Sequence, residues 1–155
     1  MTYPLLAAGF LVGVTVFVHA SGLALMLRIL FREGRARPTG FRPVTRLLIV
    51  VGLWLVMLHL AEIAVWAVFF QLQGSVADAE SAFYFSGTTY ATIGYGDVVL
   101  PKPWRLLAPV EGVTGILMCG LSTGTFFGVA SRLLARSFPA QPSSSPPAST
   151  GQPPA

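Results

Sequence analysis

The sequence predicts an all-α membrane protein. Three transmembrane helices are expected, with one half-length helix between the second and third that enters the membrane and returns. Three observations carry this. Of 155 residues, 54% are apolar and only 10% are charged, whereas a soluble domain carries about 25% charged residues. Three apolar stretches are long enough to cross a hydrocarbon core of about 30 Å. Between the last two lies a short helical pattern that ends in a polar, glycine-containing run. The lone Cys119 excludes a disulfide framework and a cysteine-based zinc site.

The first stretch, Leu5 to Leu27, has His19 as its only ionisable group. It is too long for a signal-peptide core and no basic residue precedes it, so residues 1–31 are read as an N-terminal transmembrane helix. The second, Leu47 to Phe70, contains His59 and Glu62; the third, Leu106 to Ser131, contains only Glu111.

Arginine sets the orientation. Arg28, Arg32, Arg35, Arg37, Arg42 and Arg46 crowd the first connection, and Arg132 and Arg136 follow the third stretch. The positive-inside rule places the basic link, residues 32–46, and the C-terminus in the cytoplasm, and the N-terminus and residues 71–104 outside. The net charge of +4 is therefore read as a topology signal that also meets anionic lipid, and no nucleic-acid partner is expected. Residues 137–155 hold six of the twelve prolines and no charge, which predicts a disordered cytoplasmic tail.

Gln71 to Ala77 reads as an external loop, and Asp78 to Ala91 as a short helix. Asp78 and Glu80 sit at its start, where carboxylates complement the positive end of the helix dipole. About twelve residues give about 18 Å, roughly half a bilayer. The return is Thr92-Ile93-Gly94-Tyr95-Gly96-Asp97. Non-helical backbone at that depth is tolerated only where protein buries it or it lines a water-filled path.

This TIGYGD run resembles the selectivity-filter signature of potassium channels, usually written TVGYG, with Ile93 in place of valine. The resemblance extends over residues 47–136: outer helix 47–70, external loop, pore helix 78–91, filter 92–97 and inner helix 105–136. GILMCGLST in the third stretch is also similar to the inner helix of bacterial potassium channels. The resemblance implies a tetrameric potassium-channel pore in a bacterial plasma membrane, conducting K⁺ passively. Its implied partners are K⁺, three further copies of the chain and membrane lipids. No enzyme activity and no cofactor beyond the transported ion are expected. Residues 1–46 fall outside the resemblance and lack the regularly spaced arginines of a voltage sensor.

The filter has a physical rationale. A dehydrated K⁺ needs oxygen atoms in place of water, and backbone carbonyls of Thr92, Ile93, Gly94 and Tyr95 with the Thr92 hydroxyl provide them if four chains converge. Carbonyls aimed one way require alternating φ signs, which Gly94 and Gly96 tolerate. Two other readings stay open: a weakly selective cation channel, and a non-conducting membrane interaction subunit.

Further residues are assigned by position in this pattern. Tyr84 and Phe85, with Phe83, lie where the family carries aromatics that brace the filter. Phe85 stands where tryptophan is frequent and has no N–H to donate, so Thr89 is expected to partner Tyr95. Thr88 stands where some members carry a glutamate that pairs with the acid after the filter, here Asp97. Glu62 or Glu111 is expected to brace the filter from behind, by hydrogen bonds to the pore helix or the filter backbone, because an intramembrane carboxylate is costly and by default functional. Gly115 and Gly120 are candidate gating hinges, and Thr123 is placed on the cavity below the filter. His59 and Glu62, at i and i+3, share a helix face; with no third ligand near in sequence, a polar interhelical pair is expected rather than a metal site. His19 is read as an interhelical hydrogen-bond donor.

Overall fold

The computed structural model describes residues 2–32 and 40–137. Its elements are α1 (Thr2–Arg32), α2 (Phe41–Leu72), α3 (Ala79–Tyr90), a 3₁₀ turn (Trp104–Leu106) and α4 (Leu107–Ser137). Among the described residues all regular structure is helical. Three helices are long and apolar enough to cross a membrane: Thr2–Leu30, Phe41–Leu72 and Trp104–Ala135.

Two apolar clusters fix how these helices run. One joins Leu11 of α1, Trp66 and Phe70 of α2, Phe85 of α3 and Leu107 of α4. The other joins Met26 and Leu30 of α1, Val44 and Val51 of α2, and Val129 and Leu133 of α4. The early part of α1 thus meets the late part of α2, which meets the early part of α4. α2 therefore runs antiparallel to both α1 and α4, which run parallel to each other. Burial of the stripes that face one another organises the bundle, while Phe17, Leu53, Met57, Leu117 and Phe127 remain on its outside.

α2 starts at Phe41, six residues before the apolar stretch predicts it. The reason is physical: apolarity marks the part of a helix that lies in lipid, and a helix continues past that boundary where Arg42 and Arg46 reach water. The segments 33–39 and 138–155, which include about half of the basic link and nearly all of the proline-rich tail, lie outside the described residues.

α1 closes tightly onto α2. A Cβ placed on Gly22 would come 2.5 Å from Leu58 Cδ1, so the small residue sets the interhelical distance. The Trp54 indole donates to the Gly22 carbonyl at 3.2 Å, and the Trp66 indole donates to Thr15 Oγ1 at 3.0 Å. α3, with 12 residues, is less than half the length of the others and wedges between α2 and α4. Asp78 caps its start, accepting from the Ser81 backbone N–H at 2.8 Å.

Candidate functional site

The end of α3 and the run after it form the most unusual backbone of the chain. Thr92 N–H donates to the Thr89 carbonyl at 2.9 Å and Ile93 N–H to the Thr88 carbonyl at 2.8 Å. These are the two bonds of a Schellman cap, with Thr92 in the left-handed position that glycine usually takes. Thr92 has φ 60°, Gly94 52° and Gly96 80°. Ile93 and Tyr95 keep negative φ, so the hand alternates along residues 92–96. A threonine held at positive φ costs on the order of 1–3 kcal/mol. The cap bonds and a third, Gly94 N–H to the Thr88 carbonyl at 3.1 Å, oppose that cost.

The run climbs back along α3. Tyr84 Oη donates to Asp97 Oδ2 at 2.8 Å, thirteen residues apart, and Asp97 Oδ1 accepts from the Val98 N–H at 3.1 Å. The Tyr84 hydroxyl holds the Asp97 carboxyl below its ordinary range. Tyr84, one of the aromatics expected to brace the run, thus holds Asp97, and among the described residues no hydrogen bond joins Thr89 to Tyr95. Thr88 Oγ1 donates to the Phe85 carbonyl at 3.0 Å, and Thr89 enters the cap through its own carbonyl. Phe85 packs edge-on against Phe70, with centroids 5.3 Å apart. Behind the run lies a cavity of about 420 Å³, lined among others by Thr89, Tyr95, Gly112 and Ile116. Thr92, Ile93, Gly94 and Tyr95 themselves are exposed on the single chain.

Two buried glutamates touch α3 from different helices. Glu111 of α4 lies in hydrogen-bond contact with Ser86 Oγ, which also lies 3.0 Å from the Ile63 carbonyl. Serine has one proton; both contacts are satisfied when Ser86 donates to Ile63 and a protonated Glu111 donates to Ser86. Glu111 Oε2 has no partner.

Glu62 of α2 sits in a denser network. His19 Nδ1 lies 2.7 Å from Glu62 Oε1, and the Tyr90 hydroxyl donates to Glu62 Oε2. His59 Nδ1 lies 3.0 Å from the Tyr90 hydroxyl, and Ser122 Oγ of α4 lies 3.5 Å from His19 Nε2. One set of protons satisfies every member. Neutral imidazoles protonated on Nδ1 donate to Glu62 and to Tyr90, and Tyr90 donates to Glu62. Both glutamates therefore reach α3, through side chains at its middle and its last residue. No sequence signal shows that His19, 43 positions before Glu62, joins His59 and Glu62. That proximity comes from the antiparallel packing of α1 on α2.

The glycines of α4 divide. A Cβ on Gly115 would overlap the Tyr90 carbonyl, and one on Gly112 would lie 3.3 Å from the Thr89 carbonyl. These two let α4 approach the C-terminal end of α3. Gly120, by contrast, faces open space, as does the exposed Thr123, and α4 runs through both unbroken.

A family model described as ion channel matches residues 54–132, which is 79 of the 155 residues. The match takes in most of α2, all of α3 with the 92–97 run, and most of α4. The chain belongs to this ion-channel family, and with its three membrane-length helices it is an integral membrane protein that serves ion transport. No curated protein and no solved structure matched the chain. α1 lies outside the matched span.

Proposed function

We propose that the chain is one subunit of a homotetrameric K⁺-selective channel, with residues 92–96 lining the conduction path. The observation that carries this reading is the alternation of φ at Thr92, Gly94 and Gly96. Alternating hand turns successive peptide planes so that their carbonyls share one side, which is what a stack of oxygen rings requires. One chain offers too few oxygens to replace the hydration shell of K⁺, so four copies are required. The carbonyls of Thr92, Ile93, Gly94 and Tyr95 and the Thr92 hydroxyl are the ion ligands, and Gly96 lets the chain turn out toward Asp97.

The surroundings suit that role. The Tyr84–Asp97 bond ties the outer end of the run to α3. Glu62 and Glu111 brace it from behind through Tyr90 and Ser86. Exposed Ile116, Leu117, Leu121 and Phe127 on α4 supply apolar surface for neighbouring subunits and lipid. Gly120 is the hinge, Thr123 lines the inner cavity, and Gly115 serves packing rather than bending. The basic link and the C-terminus lie in the cytoplasm and the 92–97 run toward the outside.

The test is flux from purified protein in liposomes under opposed K⁺ and Na⁺ gradients. The expected reversal potential follows K⁺, and Gly94→Ala abolishes K⁺ flux because a side chain at φ 52° is strained. Equal permeation of Na⁺ would leave a weakly selective pore in its place, and absence of flux a non-conducting subunit. A stable monomer in detergent would also contradict the assembly.

A further inference from the structure

We propose that His19, His59 and Glu62 form a site for a divalent transition metal of the zinc class, set where it links α1 to the C-terminal end of α3. The donor atoms of the three side chains all lie within 4.8 Å of one another. Bonds of about 2.0–2.1 Å in a tetrahedral zinc shell put neighbouring donors about 3.3 Å apart. The Glu62 carboxylate faces both rings, with Oε1 2.7 Å from His19 Nδ1 and Oε2 3.5 Å from His59 Nδ1. Small side-chain movements suffice to close the shell.

The donor chemistry points to the metal class. Two imidazoles and one carboxylate suit zinc, cobalt or nickel, whereas calcium and magnesium take all-oxygen shells. The Tyr90 hydroxyl, 3.0 Å from His59 Nδ1, stands beside the fourth position. The ring of His19 is held from behind as metal-bound imidazoles commonly are. When Nδ1 turns its lone pair to the ion, the proton moves to Nε2, and Nε2–H then donates to Ser122 Oγ, 3.5 Å away on α4.

Charge supplies a further reason. Glu62 is buried at 0% exposure, and its partners among the described residues are two imidazoles and a phenol, with no lysine or arginine. A carboxylate inside a membrane calls for a cationic partner, and a bound dication provides one. Binding draws Glu62 and His59 together and so changes their hold on Tyr90, two residues before Thr92. The occupied site therefore alters conduction. Metal binding itself does not depend on K⁺ selectivity, and only this last consequence rests on the proposed function.

The experiment is a Co²⁺ titration of tag-free, full-length protein in detergent micelles, read by visible d–d absorption. The expected result is a tetrahedral-type spectrum saturating at one Co²⁺ per chain and bleached by Zn²⁺. His59→Gln, at a partly exposed position, should weaken binding at least tenfold, and His19→Gln should do the same. A wild-type protein without the spectrum overturns the site whatever the variants do. A spectrum unchanged in both variants overturns it as well. In liposomes, Zn²⁺ should change K⁺ flux through the wild type and leave His59→Gln unaffected. Flux insensitive to Zn²⁺ in protein that binds Co²⁺ overturns the link to α3 while leaving the site and the channel reading in place.

Discussion

The two walls that hold α3 are built on different physics. On the α1–α2 wall, Glu62 gathers His19 and Tyr90 while His59 holds Tyr90 in turn, and every buried polar side-chain atom of the network has a partner. On the α4 wall, Gly112 and Gly115 bring backbone against backbone, and Glu111 makes one contact and leaves an oxygen alone. A buried network is costly to break because each orphaned group keeps its full desolvation penalty. A close-packed backbone contact is costly to crowd but indifferent to charge. The first wall should fail by losing an acceptor and the second by gaining a methyl group.

Glu62→Ala tests the first wall most severely. It strands the His19 and Tyr90 donors and opens a cavity, so a loss of about 4 kcal/mol is expected, read as a lowered unfolding midpoint in mixed micelles. Gly115→Ala tests the second. The added Cβ meets the Tyr90 carbonyl, and overpacking of this kind costs about 2–3 kcal/mol; the proposed tetramer should also weaken on size exclusion. Equal tolerance of alanine at 115 and at the open Gly120 would remove the packing argument.

Glu111→Gln should be mild, within about 1 kcal/mol, because an amide N–H donates to Ser86 as a protonated carboxyl does. The same change at Glu62 should be clearly worse, since an amide offers one acceptor where the network uses two. A reversal of that order would mean the walls have been assigned the wrong way round. Tyr84→Phe is the gentlest change and lies outside both walls. Asp97 has a depressed folded pKa because Tyr84 donates to it. The sign follows directly: the contact stabilises above the ordinary value of 3.8 and is lost as pH falls through the lower folded value. Wild-type flux should therefore persist to lower pH than that of Tyr84→Phe, and coincident acid profiles would show the tether to be idle.

Legibility followed the range of the interactions. Three membrane-length helices, the short helix from Asp78 and the turn at residues 92–97 were all readable, because hydropathy, capping and glycine placement act over a few residues. The involvement of Glu62 and Glu111 was readable only as an expectation that a buried carboxylate has a partner. Which partner was not: Tyr84 holds Asp97, and of the pore-helix and filter groups that Glu111 could meet, the structure gives it Ser86 of α3. The i, i+3 spacing of His59 and Glu62 showed a shared face and gave no hint of His19.

By itself, then, the sequence determined that this protein lives in a membrane, where its helices lie, and that one short segment must take up alternating backbone hands. The meeting of α1 and α2 at Gly22 and Leu58, the arrival of His19 beside Glu62 and the role of Gly115 as a contact rather than a bend come from helix packing. The physical reason is distance along the chain. Backbone conformation and burial preference are set by near neighbours, whereas the meeting of side chains forty or more positions apart depends on how whole helices pack.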